Sequence, residues 1–301
     1  MNTQAATSMN NGTGNGLLAM NASDELAKQA CGQIVYWSLS GNVSIEALQR
    51  GLDNAGSLAL LPEEPSPKVA IHRAMDAVAV AHKADTQSRR RGEWVIVGGA
   101  TEEIDGDGKS LVYPILAEAH VEGQDAIVNS SDSAYYHEIH QAYREAQHSL
   151  APSDIGAWLC TKVVGLGGIA LRASGGFYFI PKDAISKWEK VARALKEVSA
   201  HRLQSIPAMR TEDAVDAILT ALTRDTEDAC QAISDSIREG KLGARALETK
   251  ETDTKALLDR IGKYETLLGV KLEALREGME ATKVAIVTAK LAQAAVDADA
   301  E

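Results

Sequence analysis

Two histidines and a glutamate in the stretch YYHEIHQAYREAQHS, residues 135–149, come nearest to a catalytic arrangement in this chain. His137 and His140 are three residues apart, so on a helix they share one face, and Glu138 lies between them. Imidazole and carboxylate groups ligate metal ions and transfer protons. His137, Glu138 and His140 are therefore the candidate catalytic residues of a metal-dependent hydrolase or nuclease.

The same stretch has a plainer interpretation, a solvent-facing amphipathic helix. Its string is H-E-x-H rather than the H-E-x-x-H of zinc metalloproteases, and no third ligand is evident nearby. The rest of the chain shows no G-x-S-x-G motif, and its glycine-rich stretch VVGLGG lacks the lysine of a phosphate loop. The sequence predicts no metal site and no cofactor, and it favours a non-enzymatic protein over an enzyme.

A second candidate site combines basic and aromatic side chains. The net charge of the chain is −11, but residues 182–210 carry +4, whereas the segments before and after them carry −8 and −7. Lysine and arginine neutralise phosphates and aromatic rings stack on bases, so this basic segment and the stretch before it could contact nucleic acid. The candidate nucleic-acid-binding residues are Arg89, Arg90, Arg91, Arg172, Tyr178, Lys187, Lys190 and Arg193.

These basic and aromatic residues also have an alternative interpretation. Phe177 and Phe179 lie two residues apart, so on a strand both would face the core and Tyr178 would point to solvent. The lysines alternate with acidic residues and would only solvate an exposed helix face. An acidic chain is also not a general polyanion binder, because phosphates are repelled by its net charge.

The C-terminal region carries a heptad-like row of apolar residues, here called the apolar seam. Its spacing alternates between three and four residues with one stutter, at Leu268–Leu272, which predicts one helix from about Glu251 to Ala295 and a coiled-coil-like arm. The seam packs on the helix predicted over residues 211–239, on a second copy or partner, or on both. The candidate interface residues are Leu257, Ile261, Tyr264, Leu268, Leu272, Leu275, Met279 and Ile286.

Capping residues and turn signals position the remaining elements. Ser44, Ser66 (followed by proline) and Thr211 each predict the start of a helix. The stretch IALRASGGFYFIP, residues 169–181, predicts a β-hairpin, and residues 199–209, which contain Pro207, read as a linker. The sequence predicts an α+β fold: an antiparallel sheet of about five to seven strands with flanking helices, followed by a helical region that ends in the long arm.

The composition of the chain indicates its domain organisation and its cellular compartment. Residues 1–30 are rich in Asn, Gly and Thr and are expected to be disordered or weakly ordered; residues 31–181 form an α+β domain and residues 182–301 a helical domain. Three well-separated cysteines indicate a reducing compartment. We find neither a signal-like segment nor a run of about 18 apolar residues, so we expect a cytoplasmic protein with no membrane contact.

Several longer motifs resemble one protein family. The segments YWSLSG, LLPEEPSP, ASGGFYFIP, IPAMRTEDAVDAIL, GARALETK and YETLLG together resemble an uncharacterised family found in phages, plasmids and archaeal viruses, over about residues 35–292. The resemblance implies a mobile-element or viral protein of the host cytoplasm, encoded beside DNA-handling or ATPase genes. It implies no catalytic residues, because the family has no assigned activity.

Three function hypotheses follow from these observations. The first is a non-enzymatic phage or mobile-element interaction protein that self-associates or docks another protein through its C-terminal helices. The second is a nucleic-acid-binding accessory protein in DNA metabolism that uses the basic segment and the hairpin. The third is the metal-dependent hydrolase or nuclease built around His137 and His140.

Overall fold

The computed structural model shows an α+β protein with antiparallel sheets, as the sequence predicts. It describes residues 30–57, 60–87, 94–98, 101–105, 108–112, 114–173, 175–240 and 242–299. The expected disorder of residues 1–29 and the candidate residues Arg89, Arg90 and Arg91 lie outside these ranges. None of the helices in the described ranges is both long and apolar enough to cross a membrane.

The chain divides into two compact units, each assembled from separate stretches. Unit I comprises residues 1–37, 161–189 and 203–301, and unit II comprises residues 38–160 and 190–202. Each unit therefore combines residues that are distant in the sequence. The division into domains at residue 181 stays a prediction about which segments fold on their own.

Unit II contains a four-stranded sheet covered by two helices. The strands are β3 (Asp85–Gln87), β4 (Val95–Gly98), β7 (Ile115–Glu122) and β8 (Asp125–Asn129), antiparallel in that order. Helices α2 (Pro67–Ala81) and α3 (Ser133–Gln147) bury their apolar residues, among them Met75 and Ile139, against this sheet. The remaining elements are α1 (Ile45–Asn54), the pair β2 (Val43–Ser44) and β9 (Ser149–Leu150), and the pair β5 (Thr101–Asp105) and β6 (Gly108–Val112).

Unit I contains a second four-stranded sheet and three long helices. The strand order is β10 (Ile169–Ala170), β11 (Phe177–Pro181), β1 (Ala30–Ser38) and β12 (Arg202–Met209). The helices are α6 (Glu212–Arg238), α7 (Ala244–Leu268) and α8 (Glu273–Asp299). Two further helices are α4 (Pro152–Gly165) and α5 (Ile185–Val198), and a short 3₁₀ turn (Lys182–Ala184) precedes α5.

The predicted helix starts are confirmed. The side chains of Ser44, Ser66 and Thr211 accept hydrogen bonds from the backbone N–H groups of Ala47, Val69 and Ala214. These bonds satisfy N–H groups that have no partner inside their own helix. The hairpin over residues 169–181 is also confirmed, with Ile169 opposite Phe179 and Ala170 opposite Tyr178.

Two predictions about the sheet are wrong. Residues 202–209 are not a linker but the strand β12, and Pro207 is tolerated there because β12 lies at the edge of its sheet. Instead of one sheet of five to seven strands, the described residues form two four-stranded sheets and two strand pairs. Two sheets arise because β1, β11 and β12 belong to unit I, whereas β3, β4, β7 and β8 belong to unit II.

Candidate functional site

The apolar seam lies inside unit I. The side chains of Ile261, Met279 and Ile286 are fully buried, and those of Tyr264 and Leu268 are nearly so. Tyr264 and Leu268 join a core cluster with Ile218, Ala221 and Leu222 of α6, against which Leu272 and Leu275 also pack; Leu257 is half-buried. The intramolecular alternative therefore accounts for the burial of the seam, and a contact of these residues with a second copy stays a prediction.

The prediction of one continuous helix from Glu251 to Ala295 is wrong. Helix α7 ends at Leu268, and Gly269 adopts a left-handed conformation with φ of 66°. The guanidinium of Arg210 donates a hydrogen bond to the carbonyl of Leu268, an acceptor left free at the end of the helix. The stutter in the seam marks this turn, and the seam continues on α8, which packs beside α7 and α6.

A second apolar row, here called the α8 stripe, remains exposed. Val284, Val287 and Leu291 are 64%, 42% and 69% exposed. Their spacings of three and four residues place them on one face of α8, away from the buried Met279 and Ile286. The apolar seam does not include these three residues. The sequence nevertheless signals them, because the stretch VAIVTAKLA is apolar on more than one face of a helix.

Polar contacts hold α8 in place beside α7. The Lys290 ammonium donates to the Glu251 carboxylate, and this hydrogen bond, followed by the lysine charge, lowers the pKa of Glu251. The Cys230 thiol of α6 lies 3.2 Å from the Met279 sulfur. The face of α8 that carries Met279 and Lys290 thus makes contacts within the chain, whereas the face that carries the α8 stripe is exposed to solvent.

The histidine cluster in unit II does not form a ligand set. Glu138 pairs with His82, whose Nε2 lies 2.5 Å from its Oε2, while His137 is exposed. His140 contacts the ring of Tyr136, and burial, followed by the charges of Arg144 and His137, lowers the pKa of His140. Across the described ranges, no group of three histidine, cysteine, aspartate or glutamate side chains could hold a metal ion.

His82 is the residue of this cluster that sequence analysis missed. It lies 56 positions before Glu138, at the end of α2, and its ring packs on Tyr135. No local motif connects the two residues, because only the packing of α2 on α3 brings them together. The pair joins α2 and α3.

The candidate nucleic-acid residues are divided between the two units. Arg172, Tyr178 and Lys187 belong to unit I, whereas Lys190 and Arg193 belong to unit II. Of these five described residues, Arg172, Lys187, Lys190 and Arg193 are exposed, and Tyr178 is half-buried with its ring stacked on Trp37 at 4.9 Å.

The expected orientation of the hairpin aromatics is wrong. Phe179 is fully buried, but Phe177 is 38% exposed and stacks on Tyr36, with ring centroids 4.9 Å apart and planes 4° apart. Phe177 sits at the start of β11, next to the Gly175–Gly176 turn, where the core no longer covers this face of the sheet. The expectation that Phe177 belongs to the core is therefore wrong: Phe177 is the most exposed aromatic of the hairpin, and Tyr178 is half-buried.

The fold thus defines an α+β protein whose C-terminal helices present an open apolar face. The chain belongs to DUF6744, a family of unknown function, whose model matches residues 30–297. No curated protein and no solved structure matches the chain.

Proposed function

We propose that this is a non-enzymatic interaction protein of a phage or other mobile element, acting in the host cytoplasm. Its C-terminal helices carry the interface, and its partner is a second copy of the chain. The observation that carries this proposal is the α8 stripe, where Val284, Val287 and Leu291 are exposed side by side. A row of large exposed apolar side chains is typical of a surface that binds another protein.

The spacing of the stripe favours a second copy as the occupant. If two α8 helices pack antiparallel around a two-fold axis near Val287 and Thr288, Val284 of each copy meets Leu291 of the other. The contact is then self-complementary, as a two-fold interface requires. The spacings of three and four residues keep Val284, Val287 and Leu291 on the one helix face that such a contact buries.

Cysteine cross-linking tests both the contact and its direction. Two full-length variants, Val284→Cys and Leu291→Cys, are purified with different tags, mixed and oxidised. The antiparallel contact predicts that the mixed disulfide forms in preference to either homodimer, and that the parent chain, with Cys31, Cys160 and Cys230, forms none under the same conditions. Absence of every cross-link, or cross-links only between identical cysteines, contradicts this interface. In the first case a different protein becomes the partner to seek.

Nucleic-acid binding is a second candidate function, favoured by one observation. The stacked rings of Tyr36 and the exposed Phe177 form an aromatic platform at the end of the sheet, and the Arg172 guanidinium lies about 4 Å from where a side chain on Gly175 would begin. Such a combination can stack a base and contact a phosphate. Fluorescence anisotropy with a labelled single-stranded oligonucleotide tests it: Phe177→Ser and Arg172→Gln should each weaken binding, and unchanged anisotropy with the parent chain excludes this function.

A further inference from the structure

A cavity of about 760 Å³ opens within unit I. Three pieces of the chain line it: the turn after α4 (Leu166, Gly167), the start of the 3₁₀ turn (Pro181 to Asp183) and one side of α7. Its volume falls within the roughly 300–1,000 Å³ that small-molecule sites occupy. It is separate from the α8 stripe, since none of the stripe residues lines it.

The floor of this cavity is apolar and fixed. Tyr264, 1% exposed, forms part of it and packs against Phe179, while Leu166, Pro181 and Leu267 add aliphatic surface. The Tyr264 hydroxyl donates a hydrogen bond of 2.9 Å to the carbonyl of Gly167. Burial raises the pKa of Tyr264 far above its usual range, so the phenol stays neutral and contributes an uncharged surface to the cavity floor.

Charged side chains surround the opening. Lys182 and Lys263 line it together with Asp183 and Asp259. A smaller adjoining cavity of about 410 Å³ shares Asp183, Asp259 and Lys263 with it and adds two further cations, Lys187 and Arg260. The combined lining thus carries four cationic side chains and two carboxylates, and it favours an anion.

Arg260 lines the adjoining cavity and is mostly buried. Its side chain is 13% exposed, and its guanidinium lies 3.9 Å from Asp225, a carboxylate that also approaches Arg224 at 3.4 Å. The Nε atom of Arg260 is buried and has no hydrogen-bond partner among the described residues. This Nε atom has almost no accessible surface, so what Arg260 contributes to the adjoining cavity is its positive charge.

We propose that this double cavity binds a small amphipathic organic anion. The apolar body of the ligand lies on Tyr264, Leu166 and Leu267, and its carboxylate, sulfonate or phosphate group meets Lys263 and Lys182 at the opening. A hydrophobic surface combined with a few convergent charges is the usual composition of a small-molecule site. This site is independent of the self-association proposed above.

The dye 8-anilinonaphthalene-1-sulfonate has the proposed chemistry and serves as the probe. Titrated into the full-length native protein at neutral pH, it should show saturable fluorescence enhancement with one site per chain. The variant Lys182→Gln/Lys263→Gln should bind the dye at least 10-fold more weakly. The matched control Lys196→Gln/Lys255→Gln removes the same charge from exposed lysines outside the cavity and should leave binding unchanged.

Two further arms exclude other sources of the signal. Octanoate should displace the dye, whereas inorganic phosphate at the same concentration should not, because phosphate lacks an apolar body. The variant Val284→Gln/Val287→Gln/Leu291→Gln should bind the dye like the parent chain. The proposal is overturned if both lysine variants bind equally, if phosphate displaces the dye as well as octanoate does, or if the signal disappears with the stripe. Circular dichroism of each variant verifies that it is folded, and the single variant Lys263→Gln, at an exposed position, replaces the double one if the latter is not.

Discussion

Glu265 and Arg276 form the pair that closes the turn between α7 and α8. One carboxylate oxygen of Glu265 lies 2.9 Å from Nε and 2.5 Å from Nη2 of Arg276, and the other accepts the N–H of Leu272 at 2.8 Å. The Glu265 side chain of α7 thus binds both the residue that precedes α8, Leu272, and a residue of its first turn, Arg276. This arrangement stabilises the turn at which α8 folds back beside α7, so the two helices do not form one extended arm.

Removing this carboxylate should destabilise the helical hairpin. We expect Glu265→Ala to lower the unfolding midpoint more than Glu265→Gln, because the amide oxygen of Gln retains an acceptor for the Leu272 N–H but loses the charge. Thermal unfolding at pH 7 followed by circular dichroism measures both. Glu277→Gln, at an exposed position on α8, is the control that changes the charge without breaking these contacts.

The same pair predicts a pH dependence. The hydrogen bond from Arg276, followed by that from Leu272, lowers the pKa of Glu265 below its ordinary value of 4.5. The folded state therefore gains stability from this carboxylate above pH 4.5 and loses it as the pH falls further. The midpoint difference between the parent chain and Glu265→Gln should shrink between pH 5 and pH 3; a constant difference contradicts the assignment.

A side chain at position 269 should destabilise the protein. Its φ of 66° is unfavourable for other residues, and a Cβ atom there would lie 2.3 Å from Nη2 of Arg210. Gly269→Ala should lower the free energy of unfolding by about 1–3 kcal/mol, the typical cost of a left-handed conformation for a residue other than glycine. Urea unfolding measures this change.

The matched control for Gly269 is Gly278→Ala. Gly278 lies inside α8, and a Cβ atom there would meet nothing within 4 Å. Alanine is a better helix former than glycine, so the free energy of unfolding of this variant should rise by about 0.5–1 kcal/mol. Equal effects of the two substitutions, in sign and size, would contradict the role assigned to the turn.

His201 should make unit II sensitive to acid. It is 4% exposed, and its Nδ1 accepts a hydrogen bond from the Ser40 N–H, so it is neutral in the folded state. Burial lowers the pKa of His201 below its ordinary value of 6.5, as it does for His140. Below pH 6.5 the unfolded chain binds protons that the folded chain does not, so stability falls with the pH.

Urea midpoints at pH 7.5 and pH 5.5 test this prediction. The parent chain should lose stability over this interval, and His201→Gln should lose less, whatever its stability at pH 7.5. His148→Gln, a change outside the buried positions, is the control and should follow the parent chain. The same pH dependence in all three proteins would exclude His201 as a source of the effect.

Local signals in the sequence predicted local structure well. A hydroxyl before an apolar-periodic segment marks a helix start wherever it occurs, so Ser44, Ser66 and Thr211 identified three helices. The Gly-containing turn between two apolar runs likewise identified the β10–β11 hairpin. In each case the hydrogen bonds involved join residues only a few positions apart, so the sequence alone is sufficient.

Features that depend on distant residues could not be predicted in this way. Pro207 argues against a strand in this segment. Only the strand order of the sheet, in which β12 follows β1 as the last strand, shows that Pro207 lies in an edge strand. The apolar seam shows only a stutter at Leu268–Leu272, and the contact of Arg210 with Leu268 and the packing of α8 beside α7 are needed to explain why the helix ends there. The pairing of His82 with Glu138 and the cavity beneath Lys263 depend on the packing of elements far apart in the sequence.

Molar mass by light scattering tests the central claim, self-association through the α8 stripe, most directly. The chain has a mass of 32.0 kDa, so the parent protein should approach twice that value, 64 kDa, as its concentration rises. Val284→Gln/Val287→Gln/Leu291→Gln should remain at 32.0 kDa, and Val80→Gln, which removes a valine that is 78% exposed on α2, should behave as the parent. A parent chain that stays at 32.0 kDa at every concentration, or a triple variant that associates as the parent does, contradicts the claim.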